Sequence, residues 1–374
     1  MSRTSRNVTI DFQRFLFSVI VVLHHSRYVL GDEHCYFLGG SLAVEFFFFV
    51  SGYLLLASVE KAEKSCMANA GQDGIGTETF HFLMHKIHGF LPEFLTAWWI
   101  GFFFIGIVRR LSLHQFLKAF EDDFWELSLV KMSGLFTHGI DGAMWYLSAM
   151  ILGMAVLYPL LRKKKDAMTH LVCPLAALFL YGYLCRTEGH PRDPAVWLGF
   201  AYKGLIRALA GLCTGVVICM AVRKMKRETP NGLTRLGNAL AATLQLVCLA
   251  LVIRYMAVQK PTRYDYFYMF LLLVLILLSF SGFGLEKALG KSEFLHRLSG
   301  FLGKYSLSLY LGHLYFAQHI GEILPEEAYA GKTRMAAYLV LAFLNGFLVM
   351  GLAEIWREKK PGEKLKRLLV KTSR

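Results

Sequence analysis

Long apolar runs separated by short charged segments dominate the chain. Within these runs apolar residues follow one another without alternating with polar ones, which excludes a membrane β-barrel, whose strands alternate over segments of about ten residues. A bilayer core is about 30 Å thick and is crossed by about 20 residues of helix. The pattern therefore predicts ten membrane-spanning helices, over residues 9–30, 39–58, 88–108, 144–161, 170–185, 204–222, 238–259, 265–283, 301–318 and 336–355.

Composition supports a helical membrane protein. Of the 374 residues, 55% are hydrophobic and 18% are charged, whereas a soluble domain is about 45–50% apolar and about 25% charged. The 41 Lys and Arg residues outnumber the 27 acidic ones, but they lie in short gaps between apolar runs. A nucleic-acid partner is not expected, because it would require cations on one accessible face. We predict an all-α, polytopic helical bundle surrounded by the lipid bilayer.

The placement of basic residues predicts the orientation of this bundle. Most Lys and Arg outside the spans fall on the side of the two termini, so the positive-inside rule puts both termini in the cytoplasm. We expect a multi-pass protein of the bacterial inner or plasma membrane, with a transmembrane domain at 1–357 and a basic cytoplasmic tail at 358–374. The gap at 109–143 contains apolar residues at helical spacing, which predicts an amphipathic helix that lies in the interface or caps a cavity.

Ionisable residues inside the predicted spans are candidates for function, because they cost free energy unless they are paired or hydrated. Arg14 and His25 are eleven residues apart, which puts them on one helix face, about 16 Å apart along the axis. Glu45 reaches a similar depth in the second span, where a carboxylate would orient an imidazole and raise its basicity. We expect a cation near the cytoplasm and a His25–Glu45 pair deeper in the bundle. The alternatives are a snorkelling Arg14 and a His25 that only forms an interhelical hydrogen bond.

Several motifs, in order along nearly the whole chain, resemble the acyltransferase 3 family of multi-pass membrane acyltransferases. The segments IDFQRFLFSVIVVLHH (10–25) and GGSLAVEFFFFVSGYLL (39–55) match its first two helices, with Ala43 in place of a glycine. FLMHKIHGFLPEF (82–94) resembles its R-x-x-R-I-x-P stretch, with Lys86 at the first arginine and Gly89 at the second. MWYLSAMILGMAVLYPLL (144–161) and SLSLYLGHLYF (306–316) match two later segments.

The resemblance implies an O-acyltransferase that moves an acyl group, most often acetyl, from cytoplasmic acyl-CoA to a hydroxyl of a cell-surface or lipid-linked carbohydrate. It implies a stand-alone chain without an esterase-like C-terminal domain, and no metal. The residues in catalysis would be His25 as general base, Glu45 and Arg14. Arg14, Lys86 and His88 would bind the acyl-CoA, with His85 or His88 compensating for the arginine missing at Gly89. The candidates for contacting substrate or an oxyanion are Ser51, Tyr53, Trp145 and His313.

Two other classes of function fit the same spans. The polar residues could line the path of a transporter or flippase for a lipid-linked saccharide, although no internal repeat of the kind common in transporters is visible. A membrane scaffold without chemistry would leave the intramembrane charges unexplained. The sequence leaves open the acceptor glycan, the identity of the acyl group and the oligomeric state. It also leaves open a covalent acyl-His intermediate against direct transfer, and a purely structural role for His313.

Overall fold

The computed structural model describes residues 6–69, 74–135, 139–140 and 142–358, and within this part the chain is helical and forms no β-sheet. The basic tail predicted at 358–374 lies outside it except for its first residue. The α-helices are α1 (Val8–His24), α2 (Arg27–Leu30), α3 (Ala43–Asn69), α4 (Ile75–Val108), α5 (Leu113–Asp123), α6 (Trp145–Lys163), α7 (Lys165–Ala167), α8 (Cys173–Glu188), α9 (Lys203–Glu228), α10 (Arg235–Val258), α11 (Asp265–Ser281), α12 (Leu285–Leu289), α13 (Glu293–Leu311), α14 (Leu314–Ile323) and α15 (Gly331–Glu358).

Nine helical segments in the described residues are long and apolar enough to cross a membrane. They confirm nine of the ten predicted spans, including the short one at 170–185, where α7 continues through a π-helical turn into α8. The segments are Val8–Leu30, Gly40–Lys64, Ile75–Val108, Gly142–Lys163, Lys165–Glu188, Lys203–Glu228, Arg235–Val258, Asp265–Leu289 and Gly331–Glu358.

The remaining predicted span, 301–318, is not one continuous helix. Helix α13 ends at Leu311 and α14 begins at Leu314, with Gly312 and His313 between them. In a membrane such a break requires side chains to satisfy the freed backbone groups. Asn345 of α15 does so, since its Nδ2 donates to the Gly312 carbonyl oxygen at 2.8 Å. The break therefore presents His313 at a helix junction instead of along a helix face.

The bundle has two distinguishable ends. Arg6 and Glu358, at the beginning and end of the described chain, line the same cavity, and we call this the terminal end. Helix α1 starts there and leads to His25 at the other end, which we call the opposite end. Both limits of the described chain thus lie at one end of the bundle. The assignment of the terminal end to the cytoplasm stays a prediction.

Helices α3 and α9 approach each other closely at the centre of the bundle. A Cβ atom on Gly52 of α3 would collide with the Leu212 backbone of α9, and one on Gly215 would lie 2.6 Å from the Gly52 Cα. Small residues allow this contact between backbones inside a membrane. Glu45 lies in the first turn of α3, and Arg207 lies near the start of α9. The glycine contact therefore also fixes the distance between these two charged residues.

The amphipathic helix predicted between the third and fourth spans is present as α5. Ser112 caps it, because its Oγ accepts from the Gln115 backbone while the Gln115 side chain accepts from the Ser112 backbone. The Phe116 ring packs against Phe102 of α4 with centroids 4.5 Å apart. The helix is thus held on one face against α4, and its other residues are left exposed.

Candidate functional site

Two histidines meet at the opposite end of the bundle. His25 lies at the C-terminus of α1, and its Nδ1 is 2.8 Å from Nε2 of His313. The Nδ1 atom of His313 is in turn 2.7 Å from the Tyr310 carbonyl oxygen. A carbonyl only accepts, so His313 Nδ1 carries the proton and its Nε2 accepts from His25 Nδ1–H. In this series of hydrogen bonds, the Nε2 atom of neutral His25 carries no proton and can therefore accept one.

His25 faces a cavity of about 420 Å³ at this end. Its size falls within the range of about 300–1,000 Å³ that is usual for small-ligand sites. Besides His25, the polar and aromatic residues in its wall are His24, Arg27, Tyr28, Ser41, Trp145, Asp193, Arg207, Tyr310 and Gln318. The wall thus combines aromatic surface, hydrogen-bonding groups and one buried cation around a partly buried imidazole.

The structure does not pair Glu45 with His25. Instead, Glu45 Oε1 accepts from Arg207 Nε at 2.8 Å, and Oε2 accepts from the Tyr181 hydroxyl at 2.5 Å. Glu45 and Arg207 are both fully buried, and a buried carboxylate needs an opposite charge more than it needs a neutral imidazole. The expected acid–base pair is therefore replaced by two contacts, His25–His313 and Glu45–Arg207.

Arg207 was not assigned a role from the sequence, although a lone arginine inside an apolar span was a signal for one. Its Nη2 donates to the Ser41 carbonyl oxygen at 3.2 Å. The guanidinium carbon also lies 5.3 Å from the centroid of a Trp145 ring. Its Nη1 is buried and has no hydrogen-bond partner among the described residues, while the residue lines the His25 cavity. An unsatisfied buried donor of this kind is costly, and an acceptor that meets it regains that free energy.

The other sequence-predicted contact residues fall in different places. Trp145 lines the His25 cavity, whereas Ser51 and Tyr53 are not part of its wall. The Ser51 Oγ lies 3.1 Å from the Tyr146 hydroxyl. The Tyr53 ring stacks on Phe280 with centroids 3.6 Å apart. Of the four predicted contact residues, the structure brings Trp145 and His313 to His25 and leaves the two hydroxyl groups elsewhere.

A second cavity, of about 540 Å³, opens at the terminal end. Arg14 lines it, as expected for a residue that meets an anion. Lys86 and His88 do not line it: the Lys86 Nζ lies 5.4 Å from the centroid of the Phe82 ring, and His88 Nδ1 is 2.6 Å from the Met84 carbonyl oxygen. The charged residues in its wall are Arg6, Arg14, Glu93, Lys304, Glu354, Arg357 and Glu358.

Three aromatic rings stand in the interior of the bundle. Phe47, Tyr146 and Tyr310 have ring centroids 5.9–6.1 Å apart. Tyr310 lines the His25 cavity. The cluster therefore begins at the wall of that cavity and extends into the bundle. In the part of the chain that the structure describes, no group of three or more His, Cys, Asp or Glu side chains could hold a metal ion.

A family model described as an acyltransferase domain, that of the acyltransferase 3 family, matches residues 7–353 of the chain. The match covers nearly the whole sequence and includes every residue that lines the His25 cavity, whereas Arg6, Glu354, Arg357 and Glu358 of the second cavity lie just outside it. No curated protein and no solved structure gives a significant match.

Proposed function

Because the chain belongs to the acyltransferase 3 family and is thus a multi-pass membrane acyltransferase, we propose its donor and acceptor. The donor is acyl-CoA, with acetyl as the acyl group, and it binds from the cytoplasm at the terminal end. The acceptor is a hydroxyl of a cell-surface or lipid-linked carbohydrate, which enters the cavity at the opposite end. The protein is then an O-acyltransferase of the bacterial inner or plasma membrane.

The observation that carries this proposal is the hydrogen-bonded chain from the Tyr310 carbonyl through His313 to His25. It supports His25 Nε2 as the general base that removes the proton from the acceptor hydroxyl. His313 is a positioning residue, since it fixes the tautomer and the ring orientation of His25. General-base catalysis of this kind contributes about 10²–10⁴-fold to the rate.

Arg207 is the group that stabilises the negative charge formed during transfer. Its unpartnered Nη1 supports this role, because preorganised donors in a water-poor site act on charge as it develops in the transition state. Glu45 and Tyr181 act through Arg207, with Glu45 holding the guanidinium in place. This role for Glu45 replaces the orientation of His25 expected from the sequence.

The transfer proceeds as one addition and one elimination. The acceptor oxygen attacks the thioester carbonyl carbon while His25 Nε2 takes the hydroxyl proton, and a C–O bond forms. The tetrahedral oxyanion, facing Arg207, collapses with cleavage of the C–S bond. The CoA thiolate leaves and takes the proton from the His25 imidazolium, which returns the base to its starting state.

The donor approaches from the side opposite to the acceptor. Arg14 contacts its anionic part at the terminal end, and the long pantetheine arm carries the thioester past Phe47, Tyr146 and Tyr310 to His25. About 16 Å of helix α1 separate Arg14 from His25. The two substrates then meet at His25 without the nucleotide part of the donor having to cross the bundle.

The test uses purified protein in nanodiscs, acetyl-CoA with a labelled acetyl group, and envelope carbohydrate from cells that lack the gene. We expect the wild type to move label onto carbohydrate and His25→Ala to lose at least about 100-fold of this activity. His114→Ala, at an exposed histidine of α5, is the matched control and keeps full activity. Undiminished transfer by His25→Ala would disprove its role as base. A wild type that neither transfers the label nor hydrolyses the thioester would instead favour a transporter of lipid-linked saccharide.

A further inference from the structure

We propose that Arg357, near the end of α15, binds the phosphate groups of the acyl donor together with Arg14. This inference rests on the proposed function, because it names the residues that hold the donor at the terminal end. The ligand chemistry is a phosphate, and an anionic lipid headgroup is the competing source of that chemistry. Neither Lys86 nor His88 lines the cavity in which the two arginines lie.

Contacts to helix α4 hold Arg357 at the cavity. Its Nη2 donates to the Glu93 Oε2 at 2.5 Å and to the Gly89 carbonyl oxygen at 3.1 Å. Among the described residues, Nε and Nη1 of Arg357 have no hydrogen-bond acceptor, and the side chain is 40% exposed. One edge of the guanidinium is thus fixed to the protein while the other donors remain available to a ligand.

The contact at Gly89 explains why a cation is needed from α15. Gly89 stands where the resemblance to the family places the second arginine of its basic motif, and Gly89 itself lines the cavity. A Cβ atom at this position would meet nothing within 4 Å, so a side chain there would extend into open space. Arg357 reaches the same place from α15 and supplies the charge that α4 lacks.

The cations of the cavity differ in how their acidic partners engage them. Lys304 Nζ lies 3.0 Å from Glu354 Oε1, Arg6 is bonded to Asp11 through Nε, and Arg357 is bonded to Glu93 through Nη2. Arg357 differs from Arg6 in that it also contacts the Gly89 carbonyl oxygen. Arg14 has a looser contact, with Nη1 3.9 Å from Asp11 Oδ1. Two guanidinium groups with free donors suit a phosphate, because arginine binds phosphate through paired, charge-assisted hydrogen bonds.

The experiment measures CoA binding to the full-length protein by calorimetry in nanodiscs of phosphatidylcholine alone, which contain no anionic headgroup. We expect Arg357→Ala to raise the Kd for CoA at least about tenfold, as the loss of a charge-assisted contact requires. The double variant Arg357→Ala/Gly89→Arg restores the Kd to within about threefold of the wild type. Arg297→Ala is the matched control, since Arg297 pairs with Glu293 on an exposed surface outside the cavity, and its Kd does not change.

A second variant keeps the inference testable if Arg357→Ala does not fold. Gly89→Arg in the wild-type background removes no contact of a side chain and adds a cation to the cavity. It is expected to lower the Kd for CoA by about threefold or more, and an unchanged Kd would count against a phosphate site here.

The remaining outcomes separate the inference from the proposed function. Wild-type affinity in Arg357→Ala, or failure of Gly89→Arg to rescue it, overturns the inference while CoA binding by the wild type keeps the proposed function. If the wild type binds no CoA, both the inference and the proposed function are wrong. If Arg357→Ala keeps CoA affinity but loses association with phosphatidylglycerol vesicles, the cavity is a lipid-headgroup site and the inference is wrong.

Discussion

Two ion pairs, one at each end of the bundle, differ in their exposure to solvent. At the opposite end, Glu45 and Arg207 are fully buried and paired at 2.8 Å. At the terminal end, Lys304 and Glu354 pair at a similar distance, 3.0 Å, but remain 57% and 46% exposed. Similar pair distances therefore occur in two very different dielectric surroundings.

The buried end is therefore suited to catalysis, and the exposed end to a ligand that binds and dissociates in every cycle. Buried charges interact strongly and keep one geometry, which a general base and an oxyanion donor require. Exposed charges are screened by water and salt, so exchanging one ion-pair partner for another costs little free energy. A soluble anion that must bind and leave in every cycle is served better by the terminal end, and the predictions below test this division.

The largest effect is expected for the buried pair. Glu45→Ala leaves Arg207 as an uncompensated buried charge and should lower the free energy of unfolding by about 3–5 kcal/mol. Glu354→Ala, which breaks the exposed pair, should cost less than about 1 kcal/mol. Chemical denaturation in detergent measures both variants. Equal losses would show that burial does not distinguish the two ends.

His313→Ala should give the next largest effect, because it removes the acceptor that fixes the His25 tautomer. We expect kcat for acetyl transfer to fall about 10–100-fold, or about 1.4–2.8 kcal/mol in the barrier, with little change in KM for acetyl-CoA. The kcat is calculated per active molecule, counted by the stoichiometry of CoA binding, because a misfolded fraction would also lower the apparent kcat without changing KM. A kcat near that of the wild type would reduce His313 to a structural residue.

Much of the fold could be predicted from the sequence because it depends on local patterns. Apolar runs of about 20 residues can only be buried in lipid or in a bundle core, so nine of the ten spans could be located. The close approach of α3 to Leu212 of α9 likewise depends on a local feature, the glycine at position 52 within an apolar span. The break after Leu311 was missed, because the Asn345 side chain that stabilises it belongs to another helix.

The partners within the site could not be predicted, since they depend on which helices face each other. Depth along the membrane put Glu45 level with His25, but depth gives no information on rotation about the helix axis. Glu45 faces Arg207, 162 positions away in the sequence, and His25 faces His313, 288 positions away. Only the packing of α3 on α9 and of α1 on α13 decides these pairs.

Ionic strength should affect the two ends unequally. Raising it from about 0.1 M to about 1 M shortens the Debye length from about 10 Å to about 3 Å. Binding of acyl-CoA at the exposed terminal end should weaken, so that KM for acetyl-CoA rises about threefold or more, while kcat, set at the buried end, changes less than about twofold. Steady-state kinetics in both salts test this. A salt-dependent kcat with constant KM would reverse the assignment of the two ends.

The smallest effect is expected for Ser51→Ala, which removes a hydrogen bond in the interior of the bundle. The Ser51 Oγ contacts the Tyr146 hydroxyl at 3.1 Å, and one such neutral bond is worth about 0.5–1.5 kcal/mol of stability. We expect kcat to change less than about threefold, because Ser51 is outside the wall of the His25 cavity. A loss of about 10²–10³ in kcat would instead be the signature of an oxyanion donor. The oxyanion would then be stabilised by the Ser51 hydroxyl instead of Arg207, and the thioester would have to bind nearer the middle of the bundle.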